Sequence, residues 1–261
     1  MHTIQSQDGT TIAYDVYGSG PALIYVMGAT CHRRFDPIIQ DAKAFSAEFT
    51  VYCYDRRGRG DSGNVLPYAP AREVEDIEAL IDVAGGSAFL YGHSSGAVLT
   101  LEAALKLQQK IAKIAIYDAP YVHDETEKRE FSHLGNKVKE LLSANKHRQA
   151  LTTFLKGIGM PSIFVWLLPL FPGWGIMQRL APTLAYDIDL TGDFPPVERL
   201  AAIALPTQIM IGAKSPVSIQ EVAKALAKSI PNAGFAELAG QDHMVKAKIL
   251  LPRLVAFFKH R

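Results

Sequence analysis

The chain has 261 residues, and its charges nearly cancel, with 27 Lys and Arg against 26 Asp and Glu. Hydrophobic residues make up 48% and charged residues 20%, which is typical of a globular protein and excludes a disordered chain. The net charge of +1 predicts no nucleic-acid or anionic-lipid partner.

Strands and helices alternate over the first part of the chain. The Asp8-Gly9 turn before the strand Thr11–Val16 predicts an opening hairpin. Short apolar runs then predict strands covered on both faces, and segments with helical spacing lie between them. These predicted elements are the strand Ala22–Met27, the helix Pro37–Phe49, the strand Thr50–Tyr54, the helix Ala71–Ala84, the strand Ser87–Tyr91, the helix Ser95–Gln109 and the strand Ile111–Tyr117.

The alternation stops over residues 121–199, which contain helical patterns and no convincing strand. It resumes with a strand at Pro206–Ile211, a helix from Val217 to Ser229, a strand at Gly234–Leu238 and a final helix that ends near Phe258. We therefore predict an α/β core with a mostly parallel sheet, built from residues 1–120 and 200–261 and interrupted by a helical cap at residues 121–199.

The segment from Gly157 to Gln178 carries no charged residue, and its length approaches that of a membrane span. It also contains Pro161, Pro169 and Pro172, which would break the backbone hydrogen bonding that lipid requires. We predict buried or pocket-lining protein and no membrane span.

Cellular location is indicated by two weak signals. The two cysteines, Cys31 and Cys53, do not form a disulfide framework, and the N-terminus lacks the basic and apolar regions of a signal peptide. Both signals favour a cytoplasmic protein.

The strongest chemical signal is Gly92-His93-Ser94-Ser95-Gly96, between a predicted strand and a predicted helix. This context is typical of a nucleophile elbow, in which a tight turn lifts the serine hydroxyl above the sheet. Small residues are needed two positions before and after Ser94 because neighbouring chains crowd the turn. Ser94 is therefore the predicted nucleophile.

With this motif the chain resembles the α/β-hydrolase superfamily over nearly its whole length. The segment from Asp55 to Ser62 (DRRGRGDS) resembles that family's D-x-R-G-x-G-x-S loop, whose role is mainly structural. Two other segments, Tyr117–Pro120 and Thr183–Asp187, resemble motifs of a group of small bacterial members, the second of them in a cap helix. The resemblance implies a hydrolase with a serine nucleophile and a lid inserted after the sixth strand, and neither a metal nor an organic cofactor.

The general base is predicted from chain order. Of the eight histidines, only His243 lies between the last predicted strand and the final helix, which gives the order Ser, acid, His that this fold requires. The acid departs from the family's pattern, because Ser215 stands where the family usually has Asp. Asp118, at the end of the preceding core strand, is the first choice; a dyad without an acid and Asp242 are the alternatives.

Two backbone N–H groups are predicted to form the oxyanion hole. One belongs to Ser95, directly after the nucleophile, and the other belongs by position to Ala29. Aromatic residues and Met are abundant in the cap and predict an apolar pocket above Ser94. The predicted substrate-binding residues are Met27, Phe154, Trp166 and Trp174.

These residues predict a carboxylic ester or thioester hydrolase that works through an acyl-enzyme on a small apolar substrate. Perhydrolysis, lactone opening and carbon–carbon bond hydrolysis are alternatives on the same triad. A weakly catalytic protein that binds a small ligand and signals is a further alternative, favoured by the missing Asp. Dehalogenation and epoxide opening use an Asp nucleophile in this fold, so Ser94 argues against them.

Overall fold

A computed structural model of the chain describes residues 1–259. The described part contains one eight-stranded sheet with the strand order β1-β2-β4-β3-β5-β6-β7-β8. β2 pairs antiparallel with both β1 and β4, and the other neighbouring strands pair parallel. The strands are β1 His2–Gln5, β2 Thr11–Tyr17, β3 Ala22–Val26, β4 Thr50–Tyr54, β5 Ala88–His93, β6 Ile111–Tyr117, β7 Thr207–Gly212 and β8 Ala233–Leu238.

Alternating side chains of each central strand pack on opposite faces of the sheet. In β3, Leu23 and Tyr25 join one buried apolar cluster, while Ile24 and Val26 join the other. This division follows from the period of two along a strand, and it requires helices on both faces. The helices of the core are α1 Asp36–Phe45, α2 Pro70–Val83, α3 Ser95–Lys106, α10 Val217–Ser229 and α11 Ala247–Lys259.

The described residues between Tyr117 and Thr207 form helices and no strand. They build a third apolar cluster, which includes Val138, Leu151 and Ile188. The helices of this cap are α4 Glu125–Ser143, α5 His147–Gly157, α6 Ser162–Leu167, α7 Trp174–Leu180, α8 Leu184–Thr191 and α9 Val197–Leu200, with short 3₁₀ turns at Leu168–Leu170 and Ala181–Thr183.

The end of the cap sequence packs on the sheet. Leu190 of α8 and Leu200 of α9 belong to the core cluster that contains α2, α3 and α10, and not to the cap cluster. The predicted boundary at residue 199 therefore falls inside α9, and the division into core and cap as folding units stays a prediction.

Three predicted element ends differ from the structure by two residues or more. The strand predicted to end at Tyr91 continues as β5 to His93, because its pairing with β6 extends to the elbow. The helix predicted to reach Phe49 ends at Phe45, where Glu48 N–H bonds the Phe45 carbonyl in a turn. The helix predicted to reach Gln109 ends at Lys106.

Within residues 1–259, no single helix is both long enough and apolar enough to cross a membrane. The charge-free segment contributes to the bent pair Ser162–Leu170 and Trp174–Thr191, whose axes differ in direction by 111°. The break between the two helices falls at the Phe171-Pro172-Gly173 segment, since proline and glycine interrupt helical hydrogen bonding.

Candidate active site

Ser94 lies at the turn between β5 and α3 with φ 56° and ψ −130°. A positive φ at a non-glycine residue costs about 1–3 kcal/mol and persists only when its surroundings enforce it. Here the Ser94 N–H donates to the Tyr117 carbonyl at 3.0 Å, and the Ser94 carbonyl accepts from the Ala97 N–H at 2.8 Å. The sheet on one side and the helix on the other thus hold the strained turn.

Three glycines make room for this turn. A Cβ at Gly92 would lie 2.3 Å from Thr100 Oγ1, and one at Gly96 would lie 2.1 Å from the Val26 carbonyl oxygen. A Cβ at Gly28 would lie 2.9 Å from Cβ of Ser94 itself. Larger residues would force the three chain segments apart, which accounts for the sequence of the elbow.

Two backbone amides beside Ser94 are free to bind an oxyanion. Within residues 1–259, neither the Ala29 N–H nor the Ser95 N–H donates a hydrogen bond to a protein acceptor. Ser95 is also the first residue of α3, whose positive dipole end faces the same region. Both N–H groups are therefore available as donors of the type that stabilises a developing negative charge, and an oxyanion hole formed by them stays a prediction.

His243 follows β8, and its ring meets the buried carboxylate of Asp118. The distance between His243 Nδ1 and Asp118 Oδ2 is 3.1 Å. Asp118 directly follows β6, the strand next to β5, and it too has a positive φ, 50°. This pairing fixes one imidazole nitrogen and leaves the other, Nε2, for proton transfer.

Ser215 completes the surroundings of this carboxylate. Its Oγ donates to Asp118 Oδ2 at 2.6 Å, and the Gly212 N–H points to Asp118 Oδ1 at 3.3 Å. Ser215, at the position where the family usually has Asp, is therefore a hydrogen-bond donor to the Asp118 carboxylate.

Two nearby carboxylates, Asp242 and Asp124, accept backbone hydrogen bonds away from the His243 ring. Asp242 is exposed and accepts from the Met244 N–H at 2.9 Å, which makes it a turn residue of the loop. The first cap helix, α4, is capped by Asp124, whose carboxylate accepts from the Glu127 N–H at 2.8 Å. Asp118 is thus free of a capping role.

His93 supports the loop that carries His243. The two rings lie 4.9 Å apart, and His93 Nε2 is 2.8 Å from the His243 carbonyl oxygen. Burial, and then the neighbouring His243, lower the pKa of His93 to about 4. His93 is therefore neutral at neutral pH, and Nε2 carries the proton that it donates to the carbonyl.

Within residues 1–259, no hydrogen bond joins Ser94 Oγ to the His243 ring. Such bonds are often long in enzymes without substrate and tighten in the complex. Two hydrogen bonds of adjacent residues connect the three segments: the Ser94 N–H donates to the carbonyl of Tyr117, the residue before Asp118, and His93 Nε2 donates to the His243 carbonyl.

Comparison with known proteins agrees with this geometry. A family model described as the alpha/beta hydrolase family matches residues 10–245. The chain belongs to the α/β-hydrolase family.

Individual relatives vary in how much of the chain they share. The crystal structure of an α/β-hydrolase from Sphaerobacter thermophilus is 39% identical, with a TM-score of 0.88, and the match covers 98% of this chain and 100% of that one. A relative from Azorhizobium caulinodans that bears the name of a carbamate hydrolase, RutD, is 24% identical over 256 residues, which is 90% of this chain and 88% of its own. The 2-(acetamidomethylene)succinate hydrolase of Mesorhizobium japonicum is 33% identical over 112 residues, 41% of this chain and 39% of its own.

The predicted substrate-binding residues of this α/β-hydrolase lie in different surroundings. Phe154 is buried inside the cap cluster, and Trp174 packs against that cluster, as does Ala29 of the oxyanion loop. Met27 is buried in the core between β3 and α1. The cap's apolar interior therefore reaches the oxyanion loop through Ala29.

Trp166 does not fit the prediction. Its side chain is 71% exposed and lies outside the cap cluster, together with other exposed apolar residues of the same segment. The structure does not enclose it in a pocket, because the first turns of this charge-free segment direct large side chains to solvent. The exposed large apolar residues of this segment are Ile158, Ile163, Phe164, Trp166, Leu170 and Phe171.

A buried charged cluster was missed at the sequence level. Asp187 of α8 is buried and contacts Arg56, Arg59 and Ser95. The only sequence signal for it was the resemblance of Thr183–Asp187 to a cap-helix motif, which carried no role. Within residues 1–259, no group of three or more His, Cys, Asp and Glu side chains is placed to hold a metal ion.

Proposed function

We propose that this α/β-hydrolase cleaves a carboxylic ester or thioester through an acyl-enzyme, with Ser94 as nucleophile, His243 as general base and Asp118 as the acid of the triad. The observation that carries the proposal is the 3.1 Å contact between His243 Nδ1 and Asp118 Oδ2 beside the strained Ser94 turn. This arrangement of serine, imidazole and carboxylate is the one that nucleophilic acyl transfer requires.

The reaction follows from the protons that these groups can move. His243 Nε2 takes the Ser94 proton as Oγ attacks the carbonyl carbon, and the Asp118 carboxylate stabilises the imidazolium that forms. The oxyanion accepts hydrogen bonds from the Ala29 and Ser95 N–H groups. The intermediate then expels the alcohol or thiol, which receives the proton from His243, and water releases the acid by the same steps in the second half-reaction.

An apolar substrate is supported by the cap. Ala29, which we place in the oxyanion hole, packs against the same apolar cluster as Trp174, Met160 and Met177. A substrate group that extends from the carbonyl toward the cap would therefore meet apolar side chains. Phe154, inside that cluster, shapes the pocket through packing.

We expect hydrolysis of p-nitrophenyl esters to favour medium acyl chains over acetate. Each buried methylene contributes up to about 0.8 kcal/mol, so butyrate and hexanoate should each raise kcat/KM several-fold over the preceding even-numbered ester until the pocket is filled. The measurement is kcat/KM across an even-numbered series from acetate to decanoate. A steady fall from acetate onward would contradict the apolar pocket.

Asp118→Asn should lower kcat by a factor on the order of 10⁴, because an amide at this position favours the wrong imidazole tautomer. Asp242→Asn, in the same loop as His243 but without a contact to its ring, is the matched control and should retain kcat. Because Ser215 Oγ lies 2.6 Å from Asp118 Oδ2, Ser215→Asp in the Asp118→Asn background should restore part of the rate. If wild type and Asp118→Asn had equal rates, the site would be a Ser94–His243 dyad in which Asp118 is not the acid.

A second candidate is hydrolysis of an acyl group attached to nitrogen. It is favoured by the names of two relatives, a carbamate hydrolase and a 2-(acetamidomethylene)succinate hydrolase. The same triad would serve, with the amine as the leaving group. Matched p-nitrophenyl esters and p-nitroanilides of one acyl chain separate the two candidates, and higher kcat/KM for the anilide would favour the second.

A further inference from the structure

The Asp187 carboxylate reaches from the cap helix α8 into the core. Its Oδ1 accepts from Ser95 Oγ at 2.7 Å and from Arg56 Nη1 at 2.8 Å, and its Oδ2 accepts from Arg59 Nη2 at 2.7 Å. All four side chains are buried. One carboxylate of the cap therefore contacts three residues that lie next to the nucleophile or in the loop after β4.

Arg59 extends this contact to the oxyanion loop. While Nη2 binds Asp187, Nη1 donates to the Gly28 carbonyl oxygen at 2.7 Å. Gly28 C=O and Ala29 N–H belong to one planar trans peptide, so they point in opposite directions. A donor fixed on this carbonyl therefore fixes the direction of the Ala29 N–H, and its positive charge polarises the amide and strengthens the hydrogen bond that the N–H donates.

The second amide of the oxyanion hole is held by the same carboxylate. The Ser95 side chain is tied to Asp187, and Arg56 Nη1 lies 3.2 Å from Ser95 Oγ. Arg56 is itself fixed by two hydrogen bonds of 2.6 Å to Glu73. Ser95 contacts Asp187 directly, and Gly28 contacts it through Arg59. Both segments that supply an oxyanion-hole N–H are therefore held by the Asp187 carboxylate.

The family resemblance gives no role to these arginines. In the D-x-R-G-x-G-x-S loop, Arg56 and Arg59 occupy variable positions, and the arginine of the motif is Arg57. Arg57 pairs with Asp76 and Asp8, away from the oxyanion loop. The contacts to Asp187 are therefore particular to residues that the general motif does not specify.

The cluster carries fixed charges. Two arginines face two carboxylates, Glu73 and Asp187, so their charges balance within the buried region. Burial alone would raise the pKa of Asp187, but Arg59 and Arg56 hold that pKa below its ordinary value. Asp187 is therefore ionised at neutral pH and accepts hydrogen bonds through both oxygens.

We propose that Asp187 is a positioning residue that, through Arg59 and Ser95, aligns the two oxyanion-hole amides and makes their alignment depend on docking of cap helix α8. Asp187 contacts no reacting atom in this scheme; it acts through the peptide of Gly28 and Ala29 and through Ser95. The proposal rests on the proposed function, because it assumes that an oxyanion forms at these amides.

The test compares Asp187→Asn, Arg59→Lys and Ser95→Ala with wild type on the best p-nitrophenyl ester. We expect kcat to fall about 10- to 100-fold in Asp187→Asn with KM nearly unchanged, a loss below the 10²–10³-fold typical of deleting an oxyanion donor outright. Arg59→Lys keeps the charge but replaces the rigid two-nitrogen fork that binds Gly28 and Asp187 with a single flexible donor nitrogen, so its kcat should lie between those of wild type and Asp187→Asn. Asp189→Asn is the control, because Asp189 lies on the same helix, is exposed and pairs with Lys139 at the surface.

A second readout separates alignment from stability. An alkyl trifluoromethyl ketone forms an oxyanion on Ser94, so its inhibition constant should rise in proportion to the loss of kcat/KM, while that of the corresponding carboxylic acid product should not. If Asp187→Asn does not fold, Arg59→Lys and Ser95→Ala test the proposal, because both keep the charged Asp187 carboxylate and change only one of its contacts.

Wild-type kcat in folded Arg59→Lys and Ser95→Ala, with only the melting temperature lowered, would overturn the proposal and leave the cluster as a link between cap and core. Failure of the proposed function has a different signature. In that case Ser94→Ala keeps its activity and the trifluoromethyl ketone does not inhibit wild type.

Discussion

Ser94→Ala should lower the hydrolysis of p-nitrophenyl esters by about 10⁴-fold or more, to the level that the oxyanion hole and substrate binding supply without a nucleophile. The reason is covalent: without Oγ no acyl-enzyme forms. A fluorophosphonate probe provides the direct measurement, since it should label wild type in a 1:1 ratio on the peptide that contains Ser94 and should leave the variant unlabelled.

Ser143→Ala is the matched control for this experiment. Ser143 is exposed at the end of α4, and its Oγ donates to the Glu140 carbonyl of its own helix. Its removal should change neither labelling nor turnover. If Ser94→Ala folds and retains most of the wild-type rate, the chemistry does not pass through this serine, and the acyl-enzyme scheme is wrong.

His243→Ala should reduce kcat nearly as far as the serine substitution, because nucleophile and base act as one unit. Without the imidazole, Ser94 keeps its proton at neutral pH and attacks slowly. The double variant with Ser94→Ala should then be little slower than either single variant. The measurement is kcat for the two single variants and the double variant at one pH.

His123→Ala is the matched control for His243→Ala. His123 is exposed and its Nδ1 lies 2.6 Å from Glu127 Oε2 on the cap, so His123→Ala should keep wild-type kcat. If the loss of kcat in the double variant equalled the product of the two single losses, His243 and Ser94 would act independently. His243 would then not be the base.

Local patterns were sufficient to predict the fold. Short apolar runs bounded by turns predicted the central strands. This works because the strands of a parallel sheet are buried on both faces and carry few polar side chains. Ser94 was predicted for a related reason: strand, glycine-flanked serine and helix are adjacent in sequence, so the whole turn can be read from five residues. Asp118 and His243 required chain order in addition, because each follows a strand.

Contacts between distant segments could not be read in this way. Ser215 was judged only as a missing Asp, since its bond to Asp118 depends on how β6 and β7 pair. Which aromatic side chains of the cap are buried could not be predicted either, because aromatic content does not distinguish Phe154, which is buried, from Trp166, which is exposed. Asp187 and Arg59 are 128 residues apart, and nothing in either segment alone indicates the partner.

The order of the strands has a consequence for refolding. Ser94 and Asp118 follow neighbouring strands that are close in sequence, whereas His243 comes 125 residues after Asp118 and follows β8, at the edge of the sheet. Closing the longer loop costs more chain entropy, and the edge strand can add only to a sheet that already exists. Secondary structure should therefore return before ester hydrolysis does, and the lag between the two signals measures the docking of the last strand.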